Sequence, residues 1–473
     1  MKNNIYACIE LGSSEVRLLV CNIKEERLYV LSQKSIPSKG ITRGNITDVK
    51  KITEQVKKLK AEVELDLKQP LKQVLLTVPT IDSQIETVAG KIDLDINKPI
   101  TSANVRGLFR SIINQPTEGN YIAVNIIPRM FRVDGQNAVQ NPRGLTGSRL
   151  GIDAQKVLVP VPIVSNLVYV VESAGFKISD IFMGSIAETL YILNSPELLK
   201  RTCHINIGHH VTTITIVNDG KIVLAQSLGV GGHDITKAIA ERFLISEELA
   251  GKLKDDFGRV NYSEAEKDQE VIYVDEGEDR STYMTRQALC EVVTERSEMI
   301  FKVIKDYLNE SIYLQKGDFH YALTGGTSEI PGMTNVLNRH LGEHVSLHRP
   351  SMLGVRHAKY CKLVGMAIFA HEIALLIGQK KNNVDIDFYG GAEAITSENS
   401  VAKPANLKIH KPQDFNVFSD DIEKPASEAK PITPVPADKK DEYIDYKLEN
   451  SGVLVRLFDM IFNENEEPQN EES

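Results

Sequence analysis

Alternating apolar and polar positions mark one pattern twice in this chain. Ile9-Glu10-Leu11-Gly12-Ser13-Ser14-Glu15-Val16 and Ile205-Asn206-Ile207-Gly208-His209-His210-Val211-Thr212 both lie between apolar runs. Each predicts strand, tight turn, strand, with the glycine free to take positive φ. A third glycine turn follows at Leu323-Thr324-Gly325-Gly326-Thr327. Up to about residue 380, strand-like and helix-like periods alternate without a long polar gap. Strands are predicted at Leu28–Leu31 and Val74–Val78, and helices at Asp48–Leu65, Val164–Ala174, Ser246–Phe257 and Thr285–Asn309. From Ile81 to about Val161, short strands such as Tyr121–Ile127 and Met130–Val133 surround a helix near Ser102–Ile113. This reads as an insertion of ~80 residues, large enough to be a small module.

The pattern changes at Lys380. Pro404, Pro412, Pro425, Pro431, Pro434 and Pro436 stand among charged and polar residues as far as about Lys440. Such a stretch buries too little apolar surface to offset its ordering entropy, so it reads as a disordered tether. Periodicity then returns: Val453, Leu454, Leu457, Phe458, Ile461 and Phe462 recur at helical spacing, opposite Arg456 and Asp459. These six residues predict an interfacial membrane helix, or alternatively a short helix docking on a protein surface. Within 446–462, Lys447 and Arg456 balance Glu449 and Asp459, so its affinity for lipid must come from the apolar stripe.

Composition narrows the field. With 473 residues, two or more domains are expected. The net charge of -9, with no basic stripe, argues against nucleic acid as a partner. Cys8, Cys21, Cys203, Cys290 and Cys361 lack metal-ligand spacing, which favours reduced thiols. No run is expected to reach the roughly 20 apolar residues of a spanning helix, so membrane contact should be peripheral.

One glycine hairpin alone reads as an ordinary surface turn. Two of them with a late Gly-Gly loop suggest a nucleotide held between related halves, with backbone N–H groups and the Ser13 and Ser14 hydroxyls facing phosphate. Glu10 or Arg17 would then act at phosphate or metal. His209 and His210 break the pattern. Neighbours in a strand point to opposite faces, so at most one should meet phosphate. Two adjacent histidines without a third ligand make a poor metal cage, and no metal site is expected.

Ile9–Ser14 resembles the first phosphate motif of the actin, heat-shock chaperone and sugar kinase superfamily, and Leu323–Gly332 resembles its adenosine motif. Ile126-Ile127-Pro128-Arg129, Asn141–Gly147, Gly231–Thr236 and Arg286–Leu289 resemble stretches of the FtsA family of bacterial cell-division proteins. The resemblance implies an α/β, actin-like two-lobed fold. Lobe I would comprise 1–81, 162–199 and 357–380, with an FtsA-type subdomain inserted at 82–161. Lobe II would have its core at 200–235 and 318–356 and an outer part at 236–317. A disordered linker (381–445), an amphipathic membrane helix (446–462) and an acidic tail (463–473) would follow.

The resemblance further implies ATP or ADP with Mg2+ at Gly12, Ser13, Ser14, Gly208, Gly231, Gly232, Lys254, Gly325, Gly326 and Thr327. It implies a site for the C-terminal peptide of FtsZ on the 285–309 helix, where Arg296 and Lys302 would meet peptide carboxylates. Self-assembly into a polymer, recruitment of later division proteins, and a place at the cytoplasmic face of the membrane at the septum belong to the same expectation. Departures from the family weaken the nucleotide part. The family's second phosphate motif reads Asp-Ile-Gly-Gly-Gly-Thr; here Asn206 replaces the acid, and His209 and His210 replace glycines. Glu10 replaces an Asp. The family's ribose-facing Glu is missing from Ala250-Gly251-Lys252-Leu253-Lys254, although Lys254 and Gly258 remain. Weakened binding, little or no hydrolysis and no catalytic residue are therefore expected. Drift of the hairpin to a purely structural role and weak binding both stay open. The alternative function is another actin-family ATPase or filament protein of the rod-shape or pilus-assembly type.

Overall fold

Strand periodicity builds two five-stranded sheets on one plan. In the first, the spatial order is Lys177–Met183, Gln73–Val78, Ile5–Leu11, Glu15–Lys24, Arg27–Pro37. In the second, it is Val345–Leu347, His320–Thr324, Arg201–Ile207, Thr212–Asn218, Lys221–Leu228. Each sheet is an antiparallel meander whose first strand also pairs in parallel with a strand from much later in the chain. The computed structural model describes residues 4–135, 138–193, 201–261, 271–275, 281–311, 319–342 and 345–378.

The strands that begin each meander are buried on both faces, Ile5–Leu11 completely. This explains why they read as apolar runs rather than clean alternation. Helices close the sheets by local rules. Val49–Leu67 starts where the Asp48 side chain accepts the Lys51 N–H, and it buries Ile52, Val56, Leu59 and Val63 at helical spacing. Glu247–Phe257 starts at Ser246, and the long Arg286–Glu310 at Thr285, each cap accepting one N–H of the first turn.

The inserted segment forms its own antiparallel sheet in the order Gln84–Asp93, Arg149–Pro160, Tyr121–Val133, Ala138–Val139. The two short strands expected at Tyr121–Ile127 and Met130–Val133 are one. Opposite Asp153 and Ala154 the register skips Arg129, and this bulge accommodates Pro128, which has no N–H for the ladder. Ser102–Ile113 packs on this sheet through Val105, Leu108, Phe109 and Ile112. Buried Gln155 ties the insertion to the second sheet, donating to the Ile222 carbonyl at 2.7 Å and accepting the Ile222 N–H at 2.9 Å.

One expectation fails here. Ala358–Ile377 is long and apolar enough to cross a membrane by length and composition. Its burial gives the reason: Cys361–Ile377 is a core helix of the first lobe. It crosses Gly184–Ile192 so closely that a Cβ at Gly365 would meet the Ala187 carbonyl oxygen at 2.4 Å. Phe369 packs edge-on against Phe182, and the Tyr6 hydroxyl bonds His371 Nδ1 at 3.0 Å. Its last carbonyls are satisfied by the insertion: Arg143 donates to Leu375 O at 2.6 Å and Arg106 to Ile377 O at 2.5 Å. Cations at a helix C-terminus also oppose its dipole, which gives Arg143 of the Asn141–Gly147 run a physical task. The predicted linker, the membrane helix with Val453, Leu454, Leu457, Phe458, Ile461 and Phe462, and the acidic tail lie outside the described residues.

Candidate functional site

The two hairpin turns are closed by the same bond. Gly12 N–H donates to Glu15 O at 3.1 Å, and Gly208 N–H to Val211 O at 3.0 Å. The flanking pairs match as well, Leu11 with Val16 and Ile207 with Thr212. Neither glycine has positive φ, contrary to the sequence reading. What demands glycine is space: a Cβ would stand 2.7 Å from Glu15 O in the first turn and 2.8 Å from Val211 O in the second.

Gly12, Ser13, Ser14, Gly208, Gly325 and Gly326 line one cavity between the sheets. Ser14, Gly208, Lys254, Gly326 and Thr327 line a second, which shares part of that wall. Eight of the ten predicted residues therefore line one or both cavities. Gly231 and Gly232 line neither cavity. They let the helix Gly232–Phe243 approach the second hairpin: a Cβ at Gly231 would meet His209 O at 2.6 Å, and one at Gly232 would collide with the Thr327 hydroxyl. Thr327 itself donates to Gly208 O at 2.8 Å. Gly325 does take positive φ, +93°, and a Cβ there would lie 2.4 Å from Ile207 O. Lys254 is buried and already engaged, donating to Thr236 Oγ1 at 2.9 Å. Burial pulls its pKa down, although Asp255 opposes the shift.

The cavity holds two carboxylates of opposite character. Burial works against the charge of Glu10, but Arg17 at 3.3 Å and Lys362 at 2.7 Å outweigh it and keep its pKa below the usual value. Arg17 is itself steadied by donation to Lys359 O at 2.5 Å, and Lys359 pairs with Glu15 at 2.9 Å. Glu188, which sequence reading missed, is fully buried on Gly184–Ile192 and accepts from Asn206 Nδ2 at 2.7 Å. Burial pushes its pKa up to about 7 despite Lys362. A carboxylate thus does sit beside Asn206, supplied by another element and held above the usual carboxylate range. Nearby, buried His204 bridges the Thr189 and Thr324 hydroxyls at 2.7 Å each. Burial lowers its pKa to about 3.

The histidines differ from the sequence reading. His209 and His210 lie in the turn, outside the paired strands, so strand alternation does not separate them: their ring centroids are 4.5 Å apart. His233, on the first turn of Gly232–Phe243, joins them at 5.2 Å from His209 and 4.5 Å from His210. The missing third histidine is present in space. No signal in the sequence pairs it with the hairpin, because the contact depends on Gly231 and Gly232 allowing close approach.

The two residues expected at a peptide site lie on Arg286–Glu310, away from the cleft. Lys302 is exposed and Arg296 half-buried, its guanidinium 3.4 Å from Met299 Sδ. Met299 and Val303, 38% and 40% exposed, share this face.

Comparison with known proteins agrees with this geometry. The family model described as "Cell division protein FtsA" matches residues 203–365, and "SHS2 domain inserted in FTSA" matches 82–158. Cell division protein FtsA of Bacillus subtilis (strain 168) is 27% identical over 383 residues, covering 80% of this chain and 86% of its own length. Its counterpart from Streptococcus pneumoniae serotype 2 (strain D39 / NCTC 7466) is 26% identical over 373 residues, covering 79% and 81%. Among solved structures, the PilM-PilN type IV pilus biogenesis complex contains a chain with TM-score 0.53 and 13% identity, covering 77% of this chain and 98% of that one. At that identity the likeness speaks to fold alone.

Proposed function

Because this chain belongs to the FtsA family of cell-division proteins and has the actin-like α/β fold, we propose that it is a division adaptor. It ties FtsZ filaments to the cytoplasmic membrane through residues 446–462, self-assembles, and recruits later division proteins at the septum. The observation that carries the reading furthest is the outward face of Arg286–Glu310, where Arg296 and Lys302 flank exposed Met299 and Val303. Such a face suits a peptide that is both acidic and apolar. Fluorescence anisotropy with a labelled FtsZ C-terminal peptide tests it. Arg296→Glu with Lys302→Glu should weaken binding about tenfold or more, and unchanged affinity would refute the assignment. Truncation before residue 446 should release the chain from liposomes that the full chain sediments with, since one amphipathic helix binds weakly and polymer avidity amplifies it.

Nucleotide has a subordinate role in this proposal. The first hairpin, Arg17 and Lys362 suit a phosphate chain by hydrogen bonding and charge. Lys254 and Thr327, in the adjoining cavity, would hold the nucleoside side. The fit to magnesium is poorer. Glu10 is already neutralised by two cations, Asn206 has no charge to offer, and Glu188 spends one oxygen on the Asn206 amide. ATP or ADP would bind weakly, tune assembly and turn over little. Calorimetry with each nucleotide, with and without magnesium, should give heats that barely depend on the ion. A strong magnesium requirement would overturn this part.

A further inference from the structure

We propose that His209, His210 and His233 form a binding site for a divalent transition metal ion of the zinc type, clasping the second hairpin to the helix Gly232–Phe243. One nitrogen from each ring can be chosen so that all three lie within 4.8 Å of one another. The backbones that carry the rings are held together from both sides: Gly232 N–H donates to Gly208 O at 2.9 Å, and His233 N–H to His209 O at 2.7 Å. Tetrahedral coordination at about 2.0–2.1 Å places ligand nitrogens roughly 3.3 Å apart. Reaching that spacing asks the ligand nitrogens to approach one another by at most about 1.5 Å.

Two further observations point to a ligand rather than to ring packing. His210 Nδ1 is buried and has no hydrogen-bond partner. A buried acceptor without a donor is costly, and a metal ion would satisfy it. Glu247 Oε2 stands 3.8 Å from His233 Nδ1. At that distance it is an ion-pair neighbour rather than a hydrogen-bond acceptor, and an approach of a few tenths of an ångström would let it orient the ring as carboxylates do behind ligating histidines.

The site can be tested with no nucleotide present. Calorimetric titration of the tag-free full-length chain with Zn2+, and the visible absorption of Co2+ in its place, test it directly. One ion per chain with a tetrahedral cobalt band is the expected result. His233→Gln and His210→Gln should each weaken Zn2+ binding tenfold or more, and Glu247→Gln about tenfold. Thermal melts without metal establish that each variant is folded. Should His210→Gln fail to fold, His233→Gln at the helix start decides alone. Less than one ion per chain, or undiminished affinity in folded His233→Gln, overturns the proposal.

Discussion

The first hairpin, closed by Gly12, presents serine hydroxyls to a cavity backed by Arg17 and Lys362. The second, closed by Gly208 in the same way, presents imidazoles to a third imidazole. One backbone thus serves two chemistries. The turn bond and the glycine that permits it are intramolecular requirements, so they persist whatever the turn binds. The residues between glycine and the return strand carry no such duty and are free to change. A preserved turn is therefore evidence of fold, while its side chains are the evidence of function.

This comparison can be broken most forcefully at its carboxylates. Glu10→Gln would leave Arg17 and Lys362 without their buried counter-charge. A loss of ~3 kcal/mol is expected by urea denaturation at pH 7; a neutral outcome would mean that the cations relax into solvent. Glu188→Gln should act in the opposite direction. With its pKa at about 7 in the fold against about 4.5 unfolded, Glu188 binds more protons folded than unfolded between those values. Its contribution to stability falls as pH rises through this window and is least above it. The variant should gain ~3 kcal/mol at pH 8 and little at pH 4.5.

The turns themselves offer a paired test. Gly12→Ala and Gly208→Ala meet nearly equal obstruction and should each cost ~1–3 kcal/mol. If denaturation midpoints show only one of them to be costly, the shared-backbone account fails. The smallest effect is in acid. His209 and His210 have folded pKa values of about 3 and about 4, below the unfolded value of about 6.5. The unfolded chain therefore binds protons first, and stability is lost as pH falls from about 6.5 toward 4. His210→Asn should remove part of that slope, ~1 kcal/mol after discounting for partial exposure. An unaltered pH profile of the denaturation midpoint would show that His210 is not held neutral.

Much of the frame was legible along the chain. The helix Ser102–Ile113 follows from periodicity, and the helices expected from Asp48 and Ser246 begin at the next residue, with Asp48 and Ser246 as their caps. The core helix Cys361–Ile377 was not. A helix apolar on nearly all sides has no amphipathic period to read, and its burial comes from partners hundreds of residues earlier. Gly231 and Gly232 were legible as special but not for the right reason, since nothing local says that Thr327 and the second hairpin press against them.

By itself, then, the sequence determined what depends on neighbouring residues: two matching hairpins, the helix starts, and the acid replaced by Asn206. Local sterics and hydrogen bonding decide such features, and they leave a repeating trace. Only the tertiary structure decided that Glu188 stands beside Asn206, that Arg143 caps the Leu375 carbonyl, and that His233 completes a trio with His209 and His210. Those meetings are set by how sheets and helices pack across long stretches of chain, and packing leaves no period in the sequence to reveal which side chains will meet.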